Sequence, residues 1–155
     1  MAWEVIAVLA SGLFAGAAVY INLVEHPARV ECGTELAVTE FGPSYHRATF
    51  MQVSLAVAGL IAGTGAWISG SGLGWLVGGE LLGSVIPFTL LVIFPTNKRL
   101  LDPDLDRQSQ LARDLLNRWA CLHAVRSALS LGTFVLFVCL GAAILTGAFC
   151  VGWVN

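Results

Sequence analysis

The chain has 155 residues, 57% of them hydrophobic and only 12% charged, where an ordinary soluble domain carries roughly 25% charged residues. Mean hydropathy is +0.79 and the formal net charge is −2, which excludes a basic surface for nucleic acid and argues for lipid around the chain. The length suits one domain, residues 1–155.

In chain order, four runs are long enough to cross a bilayer, which takes about 20 apolar residues. The first covers residues 3–24. It carries the acidic Glu4 where a signal peptide would be basic, and it is too long for a signal h-region, so it reads as a permanent span. A connection of residues 25–45 follows. Within it Thr34 to Val38 predicts a short interfacial helix, and Gly42-Pro43-Ser44 predicts a turn. The second span, residues 48–68, is joined to the third, residues 73–94, by the tight turn Ser69-Gly70-Ser71-Gly72. Pro87 predicts a kink in the third span, because it lacks a donor and its ring clashes with the preceding turn.

Asp102-Pro103-Asp104 then reads as a helix start, an acid at the N-cap and proline at the first position. From there Leu105, Ala112, Leu115, Trp119 and Leu122 fall on one face, with Arg107, Gln110, Arg113, Asp114 and Asn117 on the other. This amphipathic helix, about residues 103–119, would lie at the interface or run straight into the fourth span, residues 127–151. In hydrocarbon the backbone must bond to itself, and no run alternates with period two, so helices rather than a barrel are expected. The fold class is therefore all-α: a four-transmembrane-helix bundle with an amphipathic interfacial helix before the fourth span. The pairs Gly12/Gly16, Gly59/Gly63, Gly74/Gly78 and Gly79/Gly83 predict close helix contacts.

All eight Lys and Arg fall in or beside the first and third connections. Positive loops stay cytoplasmic, so both termini are expected on the non-cytoplasmic side. Cys32, Cys121, Cys139 and Cys150 form no CxxC and match no zinc spacing, and they read as free thiols.

The polar residues gather at the positively charged end. Asn22, Glu25 and His26 share a face as the first span ends, just before Pro27. Tyr45, Thr49 and Gln52 share one as the second begins, with His46 beside them. Trp119, His123 and Arg126 line a face entering the fourth, and Asn97 and Arg99 follow Pro95 at the end of the third. Four antiparallel helices would aim these groups at one shallow cavity. Taken singly, each is equally well an interfacial group meeting headgroups and water. Gln52 and Arg126 lie deep enough to need partners inside the bundle. A metal would require His26, His46 and His123 to converge, and no two of them are three or four apart, so no local motif supports metal or haem. Glu80 stands apart, about two turns into the third span from the other end. An intramembrane carboxylate is a functional candidate by default, and the alternative is a glutamate resting near Ser84 or Trp75. Nothing resembles an ATP, nicotinamide or flavin motif, since the glycines sit inside apolar runs.

Several of these stretches together resemble the anthrone oxygenase-like family of small four-helix membrane proteins. They are Gly12-Leu13-Phe14-Ala15-Gly16 leading to Asn22-Leu23-Val24-Glu25-His26-Pro27-Ala28-Arg29, then Ile86-Pro87-Phe88-Thr89 with Pro95-Thr96-Asn97, then Arg118-Trp119 with His123-Ala124-Val125-Arg126. The family includes fungal enzymes that oxidise polyketide anthrones to anthraquinones, and many bacterial members without a known function. The resemblance implies an integral protein of a bacterial inner membrane that acts as an oxygenase on a hydrophobic phenolic substrate, with no cofactor expected. An anthrone methylene is acidic, and its enolate can pass an electron to O2 directly. Such a site needs a base and a group for the enolate oxygen. His123 or His26 would be the base, Arg126 and Asn22 the stabilisers, with Glu25, His46, Thr49, Gln52, Thr89, Asn97 and Trp119 contacting substrate. Two other classes compete: a non-catalytic accessory subunit of a larger membrane complex, and a haem- or metal-carrying redox protein; a homo-oligomer is a further possible assembly. Clustering of Asn22, His26, His46, His123 and Arg126 around a void favours catalysis or ligand binding, and their dispersal toward headgroups favours the accessory role.

Overall fold

The computed structural model describes the backbone of residues 1–152; the side chains of Leu145 and of residues 148–152, with the Cys150 thiol among them, lie outside the described residues. The described residues form four long helices: α1 Ala2–Glu31, α2 Thr34–Ile68, α3 Leu73–Leu100 and α4 Gln110–Gly152. Each contains a stretch long and apolar enough to cross a membrane, and no strand occurs among the described residues. The perimeter is apolar, with Phe50 80% and Leu91 77% exposed. Cys32, Cys121 and Cys139 are free thiols.

The helices run antiparallel. At one end the Ser71 hydroxyl donates to Glu4 at 2.5 Å, tying the α2–α3 turn to the start of α1. At the other end Gln108 donates to Glu35 at 2.7 Å and Arg107 to Thr39 at 3.1 Å, tying the α3–α4 connection to the start of α2. The two positively charged connections therefore share one end. The link between α1 and α2 is only Cys32-Gly33, where Gly33 takes φ +104, a conformation that costs glycine little.

Three local expectations are corrected. The Thr34–Val38 segment is not a separate helix, and Gly42-Pro43-Ser44 is not a turn; both lie inside α2. The reason is packing, because Ala37, Val38 and Phe41 are buried in the core at this end and the helix must continue to hold them there. Asp102-Pro103-Asp104 does not start α4. Asp102 Oδ1 instead accepts the Asp104 N–H at 3.0 Å in a turn, and the helix starts at Gln110, with Ser109 Oγ accepting the Ala112 N–H at 3.1 Å. From there the amphipathic segment runs straight on into the fourth apolar run. It buries Ala112, Leu115, Leu116 and Trp119, and leaves Arg113, Asp114 and Asn117 exposed.

Prolines shape the helices without ending them. Ile21–Glu25 of α1 and Thr89–Ile93 of α3 are π-helical turns, and each is followed two residues later by a proline, Pro27 and Pro95. Proline cannot donate to the i−4 carbonyl and crowds it, and a widened turn accommodates both defects. Pro87 sits in the short segment Val85–Phe88, and the regular helix of α3 is interrupted at Ser84, three residues before it.

Glycines set the closest contact. A Cβ on Gly63 would stand 2.6 Å from the Trp75 carbonyl oxygen and 2.9 Å from Gly79 Cα. Those atoms are backbone and cannot rotate away, so α2 and α3 would have to part. At Gly16 a Cβ meets nothing within 4 Å. Gly63→Ala should therefore cost about 1–3 kcal/mol by overpacking. Gly16→Ala should be neutral or stabilise by up to about 1 kcal/mol through helix propensity. Paired detergent melting curves check the contrast.

Candidate functional site

The polar residues of α1 and α4 meet in register. Asn22, in the π turn of α1, faces His123, and His26, four residues on, faces Trp119, four residues back from His123. The Asn22 amide nitrogen donates to the Ala120 carbonyl at 3.2 Å, which turns its oxygen inward. That oxygen is the partner of His123 Nδ1 and also lies 2.7 Å from the Ser127 hydroxyl. An amide oxygen only accepts, so Nδ1 carries the imidazole proton. Nε2 is then the lone-pair nitrogen, and Arg126 Nη2 donates to it at 2.7 Å. The same guanidinium donates to Gln52 Oε1 on α2 and sits over the Phe14 ring, 5.6 Å from its centroid.

These groups border a cavity of about 30 Å³, room for little more than water. Thr49, Gln52, Thr89, Asn97, Trp119, His123 and Arg126 are on its wall, with Ile21, Arg29, Phe41, Ser44, Tyr45, Ala48 and Ile93. Apart from Arg29 Nε, which lies in ion-pair range of Glu40, three buried polar atoms of the wall have no partner among the described residues: Gln52 Nε2 and Arg126 Nε, both donors, and Asn97 Oδ1, an acceptor. Buried polar atoms are rarely left unpaired, so three around one void mark a place for a polar ligand. Trp119 stacks on His123 with ring centroids 4.7 Å apart, and Phe41 meets Trp119 edge-on at 5.4 Å.

A family model described as anthrone oxygenase matches residues 41–136, well over half of the chain. The chain belongs to the anthrone oxygenase family. It is 32% identical over 132 residues to the anthrone oxygenase tpcL of Aspergillus fumigatus, covering 78% of this chain and 81% of that one. It is 29% identical over 138 residues to an anthrone oxygenase of Claviceps purpurea, covering 79% of each. No solved structure matches. The segment matched by the anthrone oxygenase family includes Gln52, Asn97, His123 and Arg126 but not Asn22, so the case for Asn22 rests on its contacts.

Of the residues singled out in the sequence, several are placed elsewhere. Glu25 is not on the cavity wall; it pairs with Arg29 and accepts from Ser44 at 2.7 Å. His46 is exposed and lies against Tyr45, with ring centroids 5.5 Å apart. His26 is buried beside the cavity, 5.3 Å from the Trp119 ring, with Nδ1 unpartnered. It joins His123 only through that indole. Glu80 is exposed on the perimeter of α3 and is not on the cavity wall. Among the described residues no three His, Cys, Asp or Glu side chains are grouped as metal ligands would be. Sequence reasoning missed Ser127 and Arg29 as site residues. Both were signalled by helical spacing, Ser127 four residues after His123 and Arg29 four after Glu25. Arg29 also pairs with Glu40 at 2.9 Å, bracing α1 against α2 beside the cavity.

Proposed function

We propose that this protein is a membrane-embedded oxygenase that converts an anthrone-like phenolic substrate to the corresponding quinone, using its own residues for the proton chemistry. The observation that carries the reading is the Asn22–His123–Arg126–Gln52 chain at a small cavity with unpartnered donors. Membership of the anthrone oxygenase family supports an anthrone-like substrate, and the apolar perimeter supports embedding in lipid. The charged connections would face the cytoplasm, placing the site near that leaflet.

Asn22 holds His123 in the tautomer whose Nε2 can take a proton. Arg126 Nε and Gln52 Nε2 are free to donate to a developing enolate oxygen. An anthrone's methylene and carbonyl lie across one ring from each other. His123 and Arg126 can therefore serve both only after their own contact breaks, with the guanidinium moving to the substrate oxygen and Nε2 released to the methylene. Removing one methylene proton gives the enolate. Its electrons reduce O2, a C–O bond forms at the former methylene carbon, and loss of water leaves the second carbonyl. The sum is one anthrone and one O2 giving one anthraquinone and one water, so no outside reductant is needed. Neither metal nor haem is required by this balance.

An oxygen electrode with purified protein in vesicles and a panel of anthrones tests the reading. Oxygen uptake matched one-to-one by quinone is expected. No turnover across the panel, with stable co-purification in a larger complex, would replace it by the accessory-subunit reading.

A further inference from the structure

We infer that the ligand reaches this site sideways, through a cleft between α2 and α3 that opens on the apolar perimeter, and not from the end of the bundle. The inference rests on the proposed function for the class of ligand, a flat aromatic ketone dissolved in the bilayer.

The end of the bundle is shut. Phe41, Leu100, Leu116 and Trp119 form a buried apolar plug between the cavity and the charged connections. Arg29, paired with both Glu25 and Glu40, bridges α1 and α2 at this end. A second void of about 70 Å³ lies beside the cavity and shares Tyr45, Thr49, Gln52, Thr89 and Arg126 with it. Its lining grades from open to closed. Leu90 is 59%, Phe94 44% and Val53 42% exposed, whereas Phe14, Ala56 and Val85 are at most 2% exposed. That gradient describes a cleft with its mouth on the perimeter and the Arg126 guanidinium at its floor. The outer walls, Val53, Ile86, Leu90 and Phe94, are apolar, and the polar side chains are the five shared with the cavity, which suits a greasy ring system that enters carbonyl first.

A competing groove lies between α1 and α2 and borders the cavity at Ile21, Ser44 and Ala48. It is lined by Glu25, Glu40 and Arg47, and neither Gln52 nor Arg126 reaches it. An apolar ligand there would strip water from three charged groups without meeting the unpartnered donors. The α2–α3 cleft avoids that cost.

Both voids are far smaller than the roughly 300–1,000 Å³ of a pocket that encloses a drug-sized ligand, so the cleft is shut as it stands. The wall able to yield is α3. Its segment Val85–Phe88 is bounded by the interruption at Ser84 on one side and the π turn Thr89–Ile93 on the other. Irregular turns of this kind interrupt the regular hydrogen-bond ladder at sites where helices flex.

The test uses benzophenone, an apolar diaryl ketone that photolabels its neighbours, in phosphatidylcholine vesicles carrying the full chain. The variants are Leu90→Trp, which fills the mouth of the cleft, and Met51→Trp, which fills the α1–α2 groove. Both replace exposed side chains, and melting curves verify that each folds. Leu90→Trp should lower labelling of Gln52 and Thr49 about tenfold, the order expected from overfilling a closed passage. Met51→Trp should leave it unchanged. Labelling that persists in Leu90→Trp, or that falls in Met51→Trp, overturns the lateral entrance. Photolabelling needs no turnover, so a failure of the oxygenase reading would show in the oxygen assay while the entrance is judged separately.

Discussion

His123→Ala is expected to lower the rate of anthrone oxidation by about 10²–10⁴-fold, the usual contribution of a positioned general base. The loss should fall on kcat more than on KM, because the imidazole acts on the methylene proton and contributes little to holding the rings. The variant should still fold, since Ser127 remains to donate to Asn22 Oδ1 at 2.7 Å. Raising the pH should recover part of the rate in the variant, because hydroxide can then take the proton that Nε2 took, and it should do less for the wild type. Asn22→Leu is the companion case. It removes the acceptor that keeps the proton on Nδ1 and frees the imidazole to adopt the wrong tautomer. Its loss of kcat should be smaller than that of His123→Ala. Steady-state oxygen uptake across pH checks both, and a His123→Ala enzyme with wild-type kcat would remove the imidazole from the mechanism.

Arg126→Ala should cost about 10²–10³-fold in kcat, the range for loss of one donor to a developing oxyanion. Its effect on stability should be more modest. Removing half of a buried ion pair costs about 3–5 kcal/mol. Here, however, the guanidinium is partnered by Gln52, His123 and the Phe14 ring and has no carboxylate within ion-pair distance among the described residues. Its removal relieves the cost of a desolvated cation while losing hydrogen bonds worth about 1.5–3 kcal/mol each. The expected net change is a fall of about 1–3 kcal/mol. Arg107→Ala, an exposed side chain donating to Thr39, should stay within about 0.5 kcal/mol and leave activity intact. Equal melting shifts for the two variants would defeat the burial argument. An active Arg126→Ala protein would defeat the oxyanion role.

The four helices were legible because uninterrupted apolar runs are a direct consequence of burying backbone in hydrocarbon. Their ends were not, because an apolar run measures contact with lipid and says nothing of where a helix stops. Pro43 shows the failure well. A Gly-Pro-Ser triplet is a sound turn signal, yet Ala37, Val38 and Phe41 before it are buried and carry the helix through. At the α3–α4 connection Asp102, Asp106 and Ser109 are all capable caps. Two of them close local turns and only Ser109 caps the helix, a choice made by where Ala112 and Leu115 can pack. The site was legible where spacing on one helix sufficed: Tyr45, Thr49 and Gln52 are all on the cavity wall, as are Trp119, His123 and Arg126. His46 was misjudged because being next to a site residue along a helix turns a side chain about 100° away from it. The pairing of α1 with α4 was not legible at all, since nothing in one sequence says that Asn22 meets His123.

The most direct test of the central claim is the absorption spectrum of an anthrone bound to the wild-type protein without oxygen, at neutral pH. If His123 takes the methylene proton and Arg126 with Gln52 holds the enolate oxygen, the enolate band should appear in proportion to protein and discharge to quinone when O2 is admitted. A bound anthrone that keeps its neutral spectrum in the wild type would contradict the account. So would an enolate band of equal strength in Arg126→Ala.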